Sequence, residues 1–341
     1  MPEQSTYASA GVDIEAGKKA TDLMKSAVQA TYTRDVLAGL GSFGGLFSGS
    51  KLKQMEDPIL VASTDGVGTK TRVAARLNRW ETIGTDLVNH CINDILVQGA
   101  TPLFFLDYIA SSKLDPIQIA TVVRGVANAC QAAEAALLGG ETAEMPGVYH
   151  EGEIDLVGTI VGAVDKRNLI DGSKIYAGNA IMALPSSGIH TNGYTLARHV
   201  LAEEDWLSPH PMLDNQPLGE VLLTPHQSYL SPVTQLRQNN VNIYGLAHIT
   251  GGGVIDNLPR ILPEGTAAQI ELGSWPIPPV FTLIQELGQV APEEMYHVFN
   301  MGLGMLVIVP IDEVPLVQRV LGDEVSLVGE ITEGNGEVVL K

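Results

Sequence analysis

Residues 82–98 carry the strongest constraint on what this chain can fold into. Leu87, Val88, Cys91, Ile92, Ile95 and Leu96 recur at helical spacing and make one apolar face. Asp86, Asn89, His90, Asn93 and Asp94 fall on the other, and Gly99 and Pro102 stop the helix. A helix with one apolar face must bury it against a second layer. Apolar runs at 59–62, 103–110 and 154–164 read as the strands of that layer. A short helix is expected over 21–30. A longer one opens at Asp115-Pro116, an N-cap acceptor followed by proline at the first helical position. Its apolar pattern predicts a helix to Leu138, ended by Gly139-Gly140, which would leave Glu141 and Glu144 at a helix C-terminus, where anions are disfavoured.

The turn-rich stretch 165–172 marks a domain boundary, giving an N-terminal domain over 1–166 and a C-terminal one over 167–341. The second half starts with a strand at 180–184, a Gly/Ser/Asn loop and a helix to about residue 204. A proline-rich excursion follows at 205–219. No repeat of 20–50 residues is visible. Mixed strands and helices in both halves give an α/β (α+β) fold class.

Composition narrows the function. The chain has 341 residues, with 20 Lys+Arg against 39 Asp+Glu and a formal net charge of −19. That argues against a nucleic-acid partner, which needs a basic surface, and against an anionic membrane. An anionic substrate would need cations gathered locally. The longest uncharged apolar stretch, 298–311, contains Gly302, Gly304 and Pro310 and is too short to cross a bilayer. The N-terminus lacks the basic and apolar regions of a secretory leader. Cys91 and Cys130 make neither a disulfide framework nor a zinc cluster and fit a reducing, cytoplasmic setting.

Glycine is the outlier, at 36 residues against ~7% in average chains, and its clusters hold the candidate sites. Gly39-x-Gly41-x-x-Gly44 matches a dinucleotide fingerprint as a string, but no buried strand precedes it, so that reading fails. With Gly45 it is either a mobile flap over phosphates or a plain loop. Asp65-Gly66-Val67-Gly68-Thr69-Lys70 follows an apolar strand. Its glycine amides suit phosphate oxygens and Lys70 offers a point charge, the alternative being a tight turn. Asp94 becomes interesting if it meets Asp65, since two carboxylates with phosphates and water make a magnesium shell. Glu141 and Glu144, after Gly139-Gly140, are either metal-facing or outward carboxylates of a polar loop. His190, in Ser187-Gly188-Ile189-His190-Thr191-Asn192-Gly193, precedes a helix whose amides could bind phosphate. A histidine there can donate to phosphate or move a proton. Thr250-Gly251-Gly252-Gly253 is a second possible anion nest. The remaining histidines show no metal-type spacing.

Taken in order, these strings resemble the aminoimidazole ribonucleotide synthetase, or phosphoribosylformylglycinamidine cyclo-ligase, family almost end to end. The resemblance rests on Tyr7-x-x-Ala10-Gly11-Val12-Asp13-Ile14, the 65–70 string, Asn93-Asp94-Ile95-Leu96 and Gly139 to Gly147. It continues through Ser187 to Tyr194, the 250–253 string, and Phe299-Asn300-Met301-Gly302-Leu303-Gly304-Met305. Three departures stand out. Leu223-Thr224-Pro225-His226 replaces the family's Leu-Ala-Pro-Thr, Thr71 a usual leucine and Ser42 a usual glycine.

The resemblance implies ATP-dependent closure of an imidazole ring in purine synthesis. It implies homodimers whose N-terminal sheets join into a barrel flanked by α+β C-terminal domains. It implies Asp65 and Asp94, with Glu141, as magnesium ligands. Gly39, Gly41, Gly44, Gly45, Asp65, Gly66, Gly68, Thr69, Lys70, Asp94, Gly140 and Glu141 would bind ATP. His190, Thr191, Asn192, Gly193, Thr250, Gly251 and Gly252 would hold the substrate, with Asp65, Asp94 and His190 catalytic. The competing readings are another ATP-using phosphorylating enzyme of the superfamily and a nucleotide-binding assembly protein. A selenophosphate-forming enzyme is disfavoured, because the N-terminal glycine-rich region has no cysteine.

Overall fold

The computed structural model describes residues 13–341. The expectations placed on Tyr7, Ala10, Gly11 and Val12 lie outside the described residues. Two compact units emerge. The first runs to Ile95 and resumes over Thr101–Lys166; the second takes Leu96–Ala100 and Arg167–Lys341.

The first unit contains α1 (Ile14–Ala30), β1 (Val36–Ala38), β2 (Leu46–Phe47), β3 (Pro58–Gly66), α2 (Lys70–Leu77), α3 (Ile83–Leu96), β4 (Thr101–Ser111), α4 (Pro116–Ala132), β5 (Ala136–Glu144) and β6 (Ile154–Asp165). Its main sheet has the order β3-β6-β4-β5. β6 is antiparallel to both β3 and β4, and β4 is parallel to β5. This is the expected mixed sheet. One face lies under helices. Leu87 of α3 reaches Gly158, and Ile95 reaches Gly162, where a Cβ would have no room. Alternation then puts Leu60 and Leu106 on the opposite face, 61% and 37% exposed.

Three expectations about elements need correction. The first helix begins at Ile14, because Asp13 caps it by accepting from Ala16 N at 3.0 Å. α4 ends at Ala132; Glu134 takes φ +54, and Ala136–Glu144 is a strand. The run Ala135-Ala136-Leu137-Leu138 is apolar throughout, and a buried parallel strand has no periodicity to separate it from a helix. Glu141 and Glu144 therefore stand on a strand, and the helix-end argument for them falls. Lastly, the helix after the 186–193 loop stops at Val200.

The second unit contains β7 (Ala180–Pro185), α5 (Tyr194–Val200), β8 (Pro209–His210), β9 (Gln216–Pro217), α6 (Leu218–Leu222), α7 (Leu230–Gln238), β10 (Gly245–His248), α8 (Gly253–Asn257), β11 (Thr266–Ile270), α9 (Pro279–Gly288), α10 (Pro292–Val298), β12 (Leu303–Val309), α11 (Val314–Leu321), β13 (Ser326–Glu333) and β14 (Val338–Leu340). Its sheet order is β10-β12-β7-β13-β11-β14, antiparallel except for β11 with β14. Both faces are covered, by a cluster around Val233, Leu236 and Val317 and one around Val254, Leu258 and Trp275. β12, buried at every position, is the core of the apolar 298–311 stretch. The 205–219 excursion is a small ribbon, β8 with β9, leading into α6. No helix among the described residues is long and apolar enough to cross a membrane.

Candidate functional site

In the first unit the polar side of α3 faces inward. Asp86, His90 and Asp94 recur every fourth residue and so form one stripe. Asp86 and His90 are buried, at 0% and 3% exposure. Each member of the stripe finds a partner. Lys70 Nζ bonds Asp86 Oδ1 at 2.8 Å, His90 Nε2 sits 2.7 Å from Asp65 Oδ2, and Ser63 Oγ donates to Asp94 Oδ2 at 3.0 Å. Asp65, at the end of β3, also accepts from the Gly66 amide at 2.7 Å. Ligating atoms of Asp65, His90 and Asp94 all lie within 4.8 Å of one another. The two aspartates thus meet, which spacing alone left open.

Electrostatics tie this group together. Burial pushes the Asp65 carboxyl up, but the hydrogen bond and charge of His90 and the Gly66 amide outweigh it, and the net shift is down. For His90, burial pushes down, and Asp65, followed by Asp94 and Asp86, more than reverses it. The result is a carboxylate pair braced by one imidazole.

Lys70 departs from its expected place. Its ammonium is fully buried against Asp86 rather than presented to a phosphate. Burial lowers its pKa more than Asp86 raises it. What remains at the loop is backbone. Gly68 takes φ +66, a conformation that favours glycine, and turns the chain into α2.

Glu141 does not join the aspartates. Register aligns Asp65, Gly158, Asp107 and Gly140 across the sheet, and Gly66, Val157, Tyr108 and Glu141 in the next row. Glu141 is therefore three strands away, ~14 Å at ~4.8 Å per strand, and on the other face. Glu144 holds backbone instead, accepting from Asp13 N at 2.5 Å and Leu114 N at 2.8 Å.

Gly140 and Glu141 do line a cavity of about 270 Å³, together with Thr21, Met24 and Val28 of α1, Leu40, and Asp107. Burial pushes the Asp107 carboxyl up to about 7. Next to this cavity, residues 36–47 form a β1–β2 hairpin. Phe47 packs on Phe104 with ring centroids 5.3 Å apart, and Gly45 abuts Leu138, whereas Phe43 is fully exposed. The glycine-rich segment is thus anchored at its base and open at its tip.

The second unit gathers a different group. Asn300 holds the 186–193 loop, accepting from Ser186 Oγ at 2.8 Å and donating to Gly188 O at 2.9 Å. Ser187 Oγ donates to Pro225 O at 2.6 Å, which brings His226 beside the loop. His190 stacks on His226 with centroids 4.0 Å apart, and its Nε2 accepts from Ser187 N at 3.1 Å. His226 Nε2 lies 3.0 Å from His248 Nε2, and its Nδ1 3.3 Å from Thr191 Oγ1. Asn257 braces the 250–253 loop through Thr250 Oγ1, Gly251 O and Gly253 O. Asn192 Oδ1 approaches Gly251 so closely that a Cβ there would sit 3.2 Å away. Asn192 Nδ2 is buried without an acceptor among the described residues. The structure therefore joins His190, Thr191, Asn192, Thr250 and Gly251 into one locale. Gly193, at φ +82, is the turn that starts α5.

Comparison with known proteins places this arrangement. Family models described as AIR synthase related protein match residues 51–164 (N-terminal domain) and 176–341 (C-terminal domain). A phosphoribosylformylglycinamidine cyclo-ligase from Bacillus cereus is 50% identical over 337 residues, 97% of each chain. The chain belongs to the phosphoribosylformylglycinamidine cyclo-ligase family. A second relative of that name, from Bacillus mycoides, is 49% identical over the same share of both chains. Among solved structures, a thiamine-monophosphate kinase from Stenotrophomonas maltophilia superposes with a TM-score of 0.67 at 15% identity, covering 94% of this chain and 96% of its own. The hydrogenase maturation protein HypE in complex with ATP gives 0.67 at 17%, covering 96% and 91%. At these identities the structures share the fold.

For this cyclo-ligase family member, motif reading missed His90, Asp107 and the histidines at 226 and 248. The four-residue spacing of Asp86, His90 and Asp94 was the available signal for the first. Asp107 sits inside an apolar strand, and His226 and His248 are 22 residues apart, so nothing local marked them.

Proposed function

We propose that the chain uses ATP to close formylglycinamidine ribonucleotide into 5-aminoimidazole ribonucleotide, releasing ADP and phosphate. The observation that carries this is 50% identity over 97% of the chain to relatives bearing the cyclo-ligase name. A formamide oxygen is a poor leaving group. Transfer of the terminal phosphoryl group to it gives an iminophosphate. The neighbouring nitrogen then attacks that carbon, the C–O bond breaks and phosphate departs. Because closure is intramolecular, holding the substrate folded supplies much of the rate. Phosphoryl transfer depends mainly on positioning and on charge stabilisation.

In this reading Asp65 and Asp94 hold Mg²⁺; two carboxylates with ligating atoms within 4.8 Å suit a hard cation. The ion, when bound, neutralises charge developing on the phosphates. His90 positions Asp65. The amides of Gly66, Gly68 and Thr69 face the phosphates, with Lys70 left as the buried partner of Asp86. Gly140 and Glu141 border the cavity that takes part of the nucleotide, and Gly39, Gly41, Gly44 and Gly45 form its flap. His190, Thr191, Asn192, Gly193, Thr250, Gly251 and Gly252 hold the substrate, with the Asn192 Nδ2 donor aimed at it.

We further infer a cytoplasmic homodimer formed through the exposed face of the first unit's sheet, where Leu60 and Leu106 would be covered. The activity is tested with purified chain, ATP, Mg²⁺ and formylglycinamidine ribonucleotide. ADP should appear only with the ribonucleotide and in step with aminoimidazole. ADP release without it, or a stable phosphorylated product, overturns the proposal. A monomer by light scattering at micromolar concentration overturns the dimer.

A further inference from the structure

His190, His226 and His248 reach one point from three separate segments of the second unit. They are buried, at 2%, 1% and 6% exposure. Each ring offers one nitrogen, and the three nitrogens lie within 4.8 Å of one another. We propose that this cluster binds one late first-row transition-metal cation, of which Zn²⁺ is the type.

The donor set selects the ion. Imidazole nitrogens suit Zn²⁺, Co²⁺, Ni²⁺ and Cu²⁺, whereas Mg²⁺ and Ca²⁺ take oxygen. The spacing fits as well. Bonds of ~2.0–2.1 Å in a tetrahedral shell put two nitrogens ~3.4 Å apart. His226 Nε2 and His248 Nε2 stand at 3.0 Å, and no pair in the cluster exceeds 4.8 Å. The His190 ring, stacked on His226 with centroids 4.0 Å apart, must rotate for its nitrogen to join the other two on one ion.

Thr191 can fix the tautomer. Its Oγ1, 3.3 Å from His226 Nδ1, is in reach to accept from Nδ1–H, and in that tautomer the Nε2 lone pair faces His248. Metal-ligating histidines are held in this way by an acceptor on the far nitrogen. With His226 in that tautomer, the hydrogen between the two Nε2 atoms, 3.0 Å apart, is carried by His248. On binding, the His248 Nε2–H bond breaks and nitrogen–metal bonds form. The proton is exchanged through solvent for one on Nδ1, so the ring stays neutral. An imidazolium has no lone pair to give, and each ring protonated at low pH must lose a proton to solvent first. Binding therefore weakens as pH falls.

His226 stands at the position where the resembling family usually reads threonine. The complete set therefore depends on this departure from the usual string. Occupancy would also tie up His190. On the role proposed above for that residue, it would slow ring closure; metal binding itself does not depend on that role.

The test titrates untagged full-length chain with Co²⁺, followed by its visible absorption at several pH values. The expected result is one equivalent with the intense bands of four-coordinate Co²⁺, displaced by Zn²⁺ and weaker at the acid end of the range. His226→Thr should weaken Co²⁺ at least ~100-fold, and substitution of the exposed His150 should leave it unchanged. Circular dichroism checks that the variant is folded. Absence of four-coordinate bands in the wild-type chain at millimolar Co²⁺ overturns the site, as does their survival in folded His226→Thr. The wild-type arm stands even if a variant fails to fold. Ring-closure rates with and without Zn²⁺ are read separately: binding without inhibition overturns the link to His190 and leaves the site.

Discussion

The two units each bury histidine, in opposite ways. In the first, His90 lies against Asp65 with Asp94 and Asp86 nearby, and these charges raise its pKa despite burial. In the second, His190, His226 and His248 are held by one another, a threonine hydroxyl and a backbone amide. One site is built from compensating charges, the other from imidazoles in a hydrogen-bonded cluster. The same residue type thus braces a carboxylate in one place and offers nitrogen lone pairs in another. Its surroundings decide which, since burial penalises a charge unless an opposite charge answers it.

The sharpest way to break this contrast is to remove a compensating charge. Lys70 and Asp86 are both fully buried, so Lys70→Met should cost about 3–5 kcal/mol by removing the cation paired with a buried carboxylate. Lys70→Met with Asp86→Leu should regain most of it in denaturant titrations. A near-neutral Lys70→Met that loses only ATP binding would return Lys70 to the phosphates. Next in size, Asp65→Asn and Asp94→Asn should each lower ring-closure turnover about 10²–10³-fold with the fold retained, as each removes charge stabilisation of a few kcal/mol. Near-normal turnover at ordinary magnesium would show that the aspartate concerned is not a ligand.

A smaller effect is expected at Asp107, an acid of the first unit that burial shifts upward. Its folded pKa, about 7, lies above the ordinary 3.8. The folded state therefore holds the proton more tightly than the unfolded chain. Its contribution to stability is full below pH ~4 and is lost as pH rises through about 7. Asp107→Asn, which cannot ionise, should match the wild type near pH 4 and melt clearly higher at pH 8. Parallel melting curves across that range would show that Asp107 does not titrate near 7.

The smallest effect concerns the hairpin. Amides at 41–44 should exchange freely without nucleotide and gain protection with magnesium-ATP, while Phe47, packed on Phe104, changes little. Equal protection with and without nucleotide would make the hairpin tip a structural loop.

Local pattern made much of this legible. The amphipathic spacing of 82–98, the proline-capped start at Asp115 and the glycine strings that end strands located elements and candidate loops, because each depends on nearest neighbours. The strand at Ala136–Glu144 was not legible. A fully buried segment carries no alternation, and only its pairing with Thr101–Ser111 distinguishes it from a helix. The same applies to site membership. The sequence by itself determined a two-part α/β chain, the Asp65 loop, the polar stripe of the 82–98 helix, and the loops at 186–193 and 250–253. Tertiary structure decided that Asp65 meets Asp94 through the stripe's inward face. It also decided that Lys70 is consumed by Asp86, that Glu141 stands on the far side of the sheet, and that His226 and His248 close around His190. These are contacts between residues tens of positions apart. They are set by strand register and by which face a helix buries, and no local spacing encodes either.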